Sequence, residues 1–475
     1  MMPITYTSRN ELGGALPQTT GHHLLSLLHM SDVHVMDTVS PARSEWIELL
    51  ADDPYWKPLL HMHRPYEALT HWALAAHVES LHRNPVAPFG HQPFDLAIST
   101  GDNIDNAQAN ELQTFLKILA GGQTSLSAYG GVHEAGKELG DKAWPFWCPD
   151  SDRPDLWKAQ GYPVVAGYVA RASAQLQSPG LGFAWTSVPG NHDVMRQGTA
   201  LPNPAIEAIA RGGRKVLAPS VDFRPQDPLN LFVEQPELFS MGSVYRQIDA
   251  STQRRAVDLR EWMAAHMQHG ALGYDSSHLR EGRADTCIDT EHVRIILLDT
   301  NHPGGDYQGS IGAAQVAWLD ARLTEVEQQP GRIAVLASHH GSVSLINTRG
   351  DDPERLLAQA LTDVVHRHSC VAAWLVGHRH LHRVMAHPNP NGGAGGFWEI
   401  TTASLIDWPS QTRAVEFFRH GDGTLEIVCT LQDHHAPAGS LAALHRDLAR
   451  RFAGDGAAHM QGEAGDGNVR LFLKR

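Results

Sequence analysis

Five short apolar runs in this chain each end on residues that can bind a metal ion or move a proton. Leu24–Met30 runs into Ser31-Asp32-Val33-His34, and Asp95–Thr100 into Gly101-Asp102-Asn103. Ala184–Val188 leads to Pro189-Gly190-Asn191-His192-Asp193, Ile333–Ser338 to His339-His340-Gly341, and Val371–Val376 to Gly377-His378-Arg379-His380. Runs of this length and composition read as buried strands, and Val293–Asp299 is a sixth. Helical patterns lie between some of them. Val316, Leu319, Leu323 and Val326 share one helix face, and Pro65–His82 and Gln253–Gln268 also read as helices. The alternation predicts a layered α/β core. In open α/β sheets ligands bind beyond the carboxyl ends of the strands, so side chains far apart in sequence are expected to meet on one rim. Gly101, Gly190 and Gly377 read as tight-turn residues that turn each ligand back toward that rim.

Carboxylates, an amide oxygen and imidazoles form a mixed nitrogen and oxygen donor set suited to borderline divalent metals. No cysteine is near these motifs, which argues against a Cys-rich structural zinc site. The donors are too many for one tetrahedral ion and suit two ions sharing a carboxylate, a recurring device for phosphoester hydrolysis.

The ordered series DVH (32–34), GDN (101–103), GNHD (190–193), HH (339–340) and GHRH (377–380) resembles the calcineurin-like metallophosphoesterase superfamily. The segment GSIGAAQVAWLDARL, from Gly309 to Leu323, resembles a helix-opening stretch common in that family. The resemblance implies a four-layer α/β/β/α sandwich carrying large insertions. It implies two divalent or trivalent ions, of Mn, Fe or Zn. Asp32, His34 and His380 would hold the first ion, Asn191, His339 and His378 the second, and Asp102 would bridge both. His340 remains an alternative to His339. His192 would face the substrate, either protonating the leaving oxygen or stabilising phosphorane-like charge, and Asp193 would either orient it or simply cap its own loop. A bridging hydroxide would attack in line. Purple acid phosphatases lack the histidine of the first block and place a tyrosine three residues after the bridging aspartate. Here His34 and Asp105 stand at those positions, so no tyrosine–iron chromophore is expected.

Composition narrows the partners. The charge is −14 with histidine neutral, which argues against broad binding of nucleic acid or of anionic membrane. No apolar run reaches the ~18 residues of a bilayer span, and the first residues lack the apolar core of a signal peptide, so a soluble cytoplasmic protein is expected. Cys148, Cys287, Cys370 and Cys429 are far apart and read as free, buried thiols. Asp433-His434-His435 spells the signature of a different phosphoesterase family, but it stands alone and reads as coincidence.

The motifs are widely spaced: 70 residues from Asp32 to Asp102, 89 from Asp102 to Asn191, and 100 from Asp193 to Val293. A crossover needs only ~30 residues. One catalytic domain, residues 20–435, is therefore expected to carry insertions near 39–64, 121–183 and 195–290, with 436–475 as a C-terminal extension. The insertions should flank the rim. The aromatics of 143–168 would either wall a cleft or form a mini-core, and the mini-core is preferred. The proline-rich stretch 202–247 reads as a long ordered loop or lid. Ala414–His420 and Thr424–Leu431 read as a hairpin completing the second sheet, and Ser440–Phe452 as a closing helix. The function expected is hydrolysis of a small phosphomonoester or phosphodiester such as a nucleotide. A cyclic-nucleotide phosphodiesterase and a nucleotide pyrophosphatase are sub-cases. The rival from another class is a non-catalytic binding scaffold of the same fold, which would be expected to have lost ligands.

Overall fold

The structure is a computed structural model that describes residues 4–14, 21–393 and 395–475. Its main elements are two mixed sheets. Thirteen strands build them: β1 (Thr7–Leu12), β2 (His22–Met30), β3 (Leu96–Ser99), β4 (Trp185–Ser187), β5 (Thr286–Asp289), β6 (Val293–Leu298), β7 (Ile333–Ser338), β8 (Val371–Val376), β9 (Arg383–Pro388), β10 (Gly396–Thr401), β11 (Thr412–Arg419), β12 (Leu425–Gln432) and β13 (Val469–Leu473). The first sheet has the order β1-β13-β12-β11-β2-β3-β4, and the second β9-β10-β8-β7-β6-β5. Within them β2, β3 and β4 run parallel side by side, as do β6, β7 and β8. The strands that carry the motifs are therefore neighbours, and their carboxyl ends open on one side of each sheet.

Alternation along the strands assigns each side chain to a layer. Leu27 and Ile98 of the first sheet share a core with Ile295, Leu297, Val335 and Leu375 of the second. The residues between them face outward. Leu28, Met30 and Ala97 pack on Leu74 and Val78 of helix Thr70–Arg83, Phe115 and Leu116 of helix Ala109–Ala120, and Trp262 of helix Leu259–Gln268. Ile296, Leu336 and Trp374 pack on Leu319 and Leu323 of helix Ala313–Glu327 and on Leu361 and Val365 of helix Ala358–Arg367. Strands apolar on both faces, lying between two packed layers, explain why these runs read as continuous rather than alternating. Among the described residues no helix is long and apolar enough to cross a membrane. All four cysteines are free.

Several segments differ from the sequence reading. The hairpin β11–β12 pairs antiparallel with β2 and so extends the first sheet, not the second. Residues 202–247 are not a lid-like loop. They contain helices Pro204–Arg211 and Pro228–Glu234 and the antiparallel pair Arg214–Pro219 and Gly242–Gln247. Two of the prolines that suggested irregularity stand at the first helical position, behind the N-caps Asn203 and Asp227, where a missing N–H costs nothing. Trp147, Tyr162 and Tyr168 are buried in one cluster with Leu448 of helix Leu441–Ala453, so these aromatics form a mini-core. The tail beyond residue 436 supplies that helix, capped by Ser440, and then β13, which lies between β1 and β12 inside the sheet. Residue 20, the expected start of the domain, lies outside the described residues.

Candidate metal centre

The loops after β2, β3, β4, β7 and β8 meet at the shared rim. Glycine makes the meeting possible in two ways. Gly101 has φ +93°, a conformation L side chains rarely adopt, and a Cβ there would lie 2.7 Å from the backbone nitrogen of Gly190. Gly377 has no such backbone. It is needed for close approach, because a Cβ would collide with Ser31 and lie 2.7 Å from Asp32 Oδ2. The tight-turn reading therefore holds at Gly101, whereas at Gly377 and Gly190 the requirement is space. Five residues with Cβ atoms also adopt positive φ here: Asp32 (51°), His34 (49°), Asp102 (52°), His378 (67°) and His380 (53°). Left-handed backbone at a non-glycine residue costs ~1 kcal/mol or more, and its clustering marks a site where donor direction outweighs local comfort.

Asp32 is fully buried, and both its oxygens accept from the backbone N–H of His378, at 3.1 and 3.0 Å. His380 Nε2 lies 3.3 Å from Asp32 Oδ1, while its Nδ1 is 2.6 Å from Asp407 Oδ2. Asp102 Oδ1 accepts from the N–H of His192 at 2.8 Å, and Oδ2 lies 3.2 Å from His339 Nε2 and 3.7 Å from His34 Nε2. Asn191 donates its amide to the carbonyl of Gly198, which leaves Oδ1 facing His339 Nε2 at 2.9 Å. Asp32, His34 and His380 form one group of donor atoms within 4.8 Å of one another, and Asp32, Asp102 and His339 another. His339, His340 and His378 form a third, and His34, Asp102 and His192 a fourth. All seven expected ligands thus lie in one cluster. Its cavity of 330 Å³ is lined by His34, Asp102, Asn191, His378 and His380, together with Arg64, His192, Arg379 and Asp407.

The donor chemistry fits a cation. His34 Nε2 is buried with no hydrogen-bond partner, an expensive arrangement unless something accepts its lone pair. Its other nitrogen is engaged, with Nδ1 3.2 Å from Asp105 Oδ1. His339 Nδ1 is likewise 2.7 Å from the carbonyl of Thr100, which directs Nε2 inward. His340 differs: its Nδ1 meets Thr300 Oγ1 at 2.9 Å and its Nε2 the carbonyl of Tyr307 at 3.1 Å, so both nitrogens are occupied.

Electrostatics points the same way. Burial opposes the charge of Asp32 and Asp102, yet both are held below the usual carboxylate range, Asp32 by His380 and Asp102 by His339 and His192. Conversely, burial disfavours the charged imidazole, yet His339 is pushed up to about 9 by Asp102 and His380 to about 9 by Asp32. Burial and the neighbouring His340 hold His378 down. The carboxylates draw positive charge into the rim, and a bound cation would supply it.

His192 lies at the cavity wall with Nδ1 2.7 Å from the carbonyl of Asp105 and 3.4 Å from Asp105 Oδ1. The partner expected for it, Asp193, points elsewhere. Asp193 Oδ2 accepts from Gly190 N at 2.8 Å and from Asn103 N and Nδ2 at 3.2 and 3.1 Å. Asp193 therefore closes its own turn as a capping residue and ties it to the next loop. Burial and then Asp102 push its carboxyl up to about 7.

Two residues of the site carried little signal. Asp105 contacts His34, His192 and the guanidinium of Arg43, and its place three residues after Asp102 was the one available hint. Asp407 accepts from Arg64 Nε at 3.0 Å and from Tyr66 Oη at 2.8 Å while holding His380. It lies in a loop with no recognisable motif, 27 residues beyond its partner.

No family model matches the chain. A probable cyclic nucleotide phosphodiesterase of Synechococcus sp. (strain WH7803) is 33% identical over 94 residues, 20% of this chain and 35% of that protein. The chain thus spans about a third of that relative's length. Among solved structures, a dimetal phosphatase from Danio rerio aligns with TM-score 0.41 and 13% identity, over 87% of this chain and 97% of that one. A protein assigned as a 5′-nucleotidase of Staphylococcus aureus aligns with TM-score 0.32 and 11% identity, over 89% and 58%.

Proposed function

We propose that this chain is a metal-dependent phosphoester hydrolase acting on a small phosphomonoester or phosphodiester such as a nucleotide. The observation that carries the reading is the convergence of Asp32, His34, Asp102, Asn191, His339, His378 and His380 on one buried cluster, with His34 Nε2 lacking any partner. Asp32, His34 and His380 would hold one ion, Asn191, His339 and His378 a second, with Asp102 between them. His339 is preferred to His340 because both nitrogens of His340 are occupied. Bound metal would neutralise phosphate oxygens and lower the pKa of a coordinated water.

The chain's own groups supply the rest. A proton on His192 Nδ1 is anchored by the Asp105 carbonyl, which leaves Nε2 to face the leaving oxygen and donate a proton to it. Arg64 and Arg379 line the cavity and offer guanidinium forks to phosphate oxygens, Arg64 being held in place by Asp407. The 94-residue match puts phosphodiesters first among the substrates to test. A cytoplasmic setting, which the four free thiols would suit, belongs to the same proposal.

The test is to strip the protein with chelator and reconstitute it with Mn, Fe or Zn. It is then screened against phosphomonoesters, phosphodiesters and nucleotide pyrophosphates, with bound metal quantified. Activity that returns with metal supports the reading. Stoichiometric metal with no turnover of any class would leave the scaffold alternative standing.

A further inference from the structure

Arg379 stands between the metal cavity and a larger groove of 940 Å³, lining both. Met460 on the wall of the first is followed closely by Gly462 and Glu463 on the wall of the second. One wall comes from the start of β9, with Leu381, Arg383 and Met385. The other comes from the tail segment around 458–466 and from Arg9 of β1.

The charges of this groove fall into two sets. Arg9 is neutralised by Glu11 and lies 3.8 Å from Asp466. Asp466 also accepts from the backbone N–H of Val384 and of Glu463, so that group is closed on itself. Arg379 and Arg383, by contrast, are exposed, and no ion pair or side-chain hydrogen bond engages either one. The one unengaged carboxylate opposite them is Glu463. In a chain of net charge −14 the groove lining balances Arg9, Arg379 and Arg383 against Glu11, Glu463 and Asp466, and the two guanidiniums without an ion-pair partner stand together, the first at the edge of the metal cluster. Lone arginines could be scattered surface charge. These two line a single concave space beside the site.

We infer that the substrate carries a second phosphoryl group, separate from the one that is cleaved, and that Arg379 and Arg383 receive it in this groove. The inference rests on the proposed phosphoester chemistry and adds a substrate class to it. A bis-phosphorylated ester is favoured over one whose only anion is at the scissile phosphorus, and a cyclic mononucleotide would leave the groove unused. Arg379 touches both ends of such a ligand, and Arg383 sets specificity for the distal end alone. Guanidinium suits the task because its fork matches two phosphate oxygens at once.

The experiment uses two probes that differ by one group: the 5′-(4-nitrophenyl) phosphate of thymidine, with and without a 3′-phosphate. The scissile bond and leaving group are the same in both. In the metal-reconstituted full chain the 3′-phosphorylated probe should show kcat/KM roughly 5- to 20-fold higher, the sum of two half-exposed ion pairs. Arg383→Glu should bring that ratio to one or below, Arg383→Gln should give an intermediate value, and the wild-type ratio should fall as salt screens the contacts. Calorimetric binding of thymidine 3′,5′-bisphosphate against thymidine 5′-monophosphate gives the same ratio without turnover. Hydrolysis of both probes at equal efficiency, or a ratio that Arg383→Glu leaves unchanged, overturns the groove assignment and leaves the phosphoesterase reading intact. A binding preference that depends on Arg383 with no hydrolysis does the reverse.

Discussion

His192 is anchored at the Asp105 carbonyl, and Asp407 ties His380 to Arg64 and Tyr66; both arrangements have measurable consequences. His192 is anchored through Nδ1 and belongs to no ligand triad of the proposed assignment. His192→Ala should lower kcat by ~10²–10⁴ with metal content unchanged, and the loss should shrink for aryl phosphates, whose leaving groups depart without protonation. Wild-type rates across a leaving-group series would remove His192 from the mechanism, and loss of metal would make it a ligand. Asp407 should report differently. It holds His380 Nδ1 at 2.6 Å, and such partners fix ring orientation and raise ligand basicity. Asp407→Asn should weaken metal binding by ~10–100-fold in a chelator competition titration, while kcat at saturating metal changes less. The proposed ligands were legible because each follows a strand made apolar by burial on both faces, so the strand's end is visible in the sequence. Asp105 and Asp407 were not, since a residue that only orients another needs proximity in space and no particular spacing along the chain. Asp193 was misread for the same reason: adjacency to His192 suggested a contact that the turn directs away.

At the scale of elements, the segments between motifs are bound to the site by buried charge. Arg43 is fully buried and pairs with Glu45, Glu67 and Asp105, while Lys215 pairs with Glu45 at 2.9 Å. Residues from 39–64, from the turn Glu67–Leu69 that precedes helix Thr70–Arg83, and from the strand Arg214–Pro219 are thereby tied to Asp105 at the rim. Burial works against the charge of Glu67, but Arg43 and then His63 lower its carboxyl from 4.5 to about 2. A carboxyl lowered on folding contributes stability that is full above its unfolded value and lost as pH falls through its folded value. Glu67 should therefore stabilise the protein above about pH 4.5 and lose that contribution between there and about pH 2. Glu67→Gln removes one of the three carboxylates around Arg43 and should cost roughly 1.5–3 kcal/mol at pH 7 in urea unfolding. It should also flatten the decline in stability below pH 4.5. An unchanged acid slope would show that Glu67 does not drive it. None of this network was visible in the sequence. Its members are ordinary charged residues in stretches that read as insertions, and only packing reveals that Arg43 and Lys215 are buried. The proline-rich part was misread because a proline that starts a helix and one that breaks it look alike until the cap residue before it is considered.

At the scale of the whole molecule, the tail is part of the core and not an appendage. β13 sits between β1 and β12, and Val469, Leu471 and Leu473 are fully buried in the layer shared by the two sheets. Ahead of it, Tyr162 donates its hydroxyl to the carbonyl of Leu448 in helix Leu441–Ala453, which joins the aromatic mini-core to the tail. A chain ending at residue 461 would lose four buried apolar side chains, Phe472 included, at ~1.5–3 kcal/mol each, or roughly 6–12 kcal/mol in all. It would also expose the pairing edges of β1 and β12. That loss is comparable to the ~5–15 kcal/mol by which whole domains are stable. The truncated chain should therefore fail to unfold cooperatively, bind hydrophobic dye and aggregate, even though every proposed metal ligand lies before its end. The control is Val221→Ser at a fully exposed position of the 195–290 insertion, which should melt as the parent does. A truncated protein that retained the parent's sharp thermal transition and metal stoichiometry would make the tail the separable extension that its late, glycine-rich sequence suggested. The fold described here gives the opposite expectation, because removing β13 opens the sheet that carries Asp32 and Asp102 at its far end.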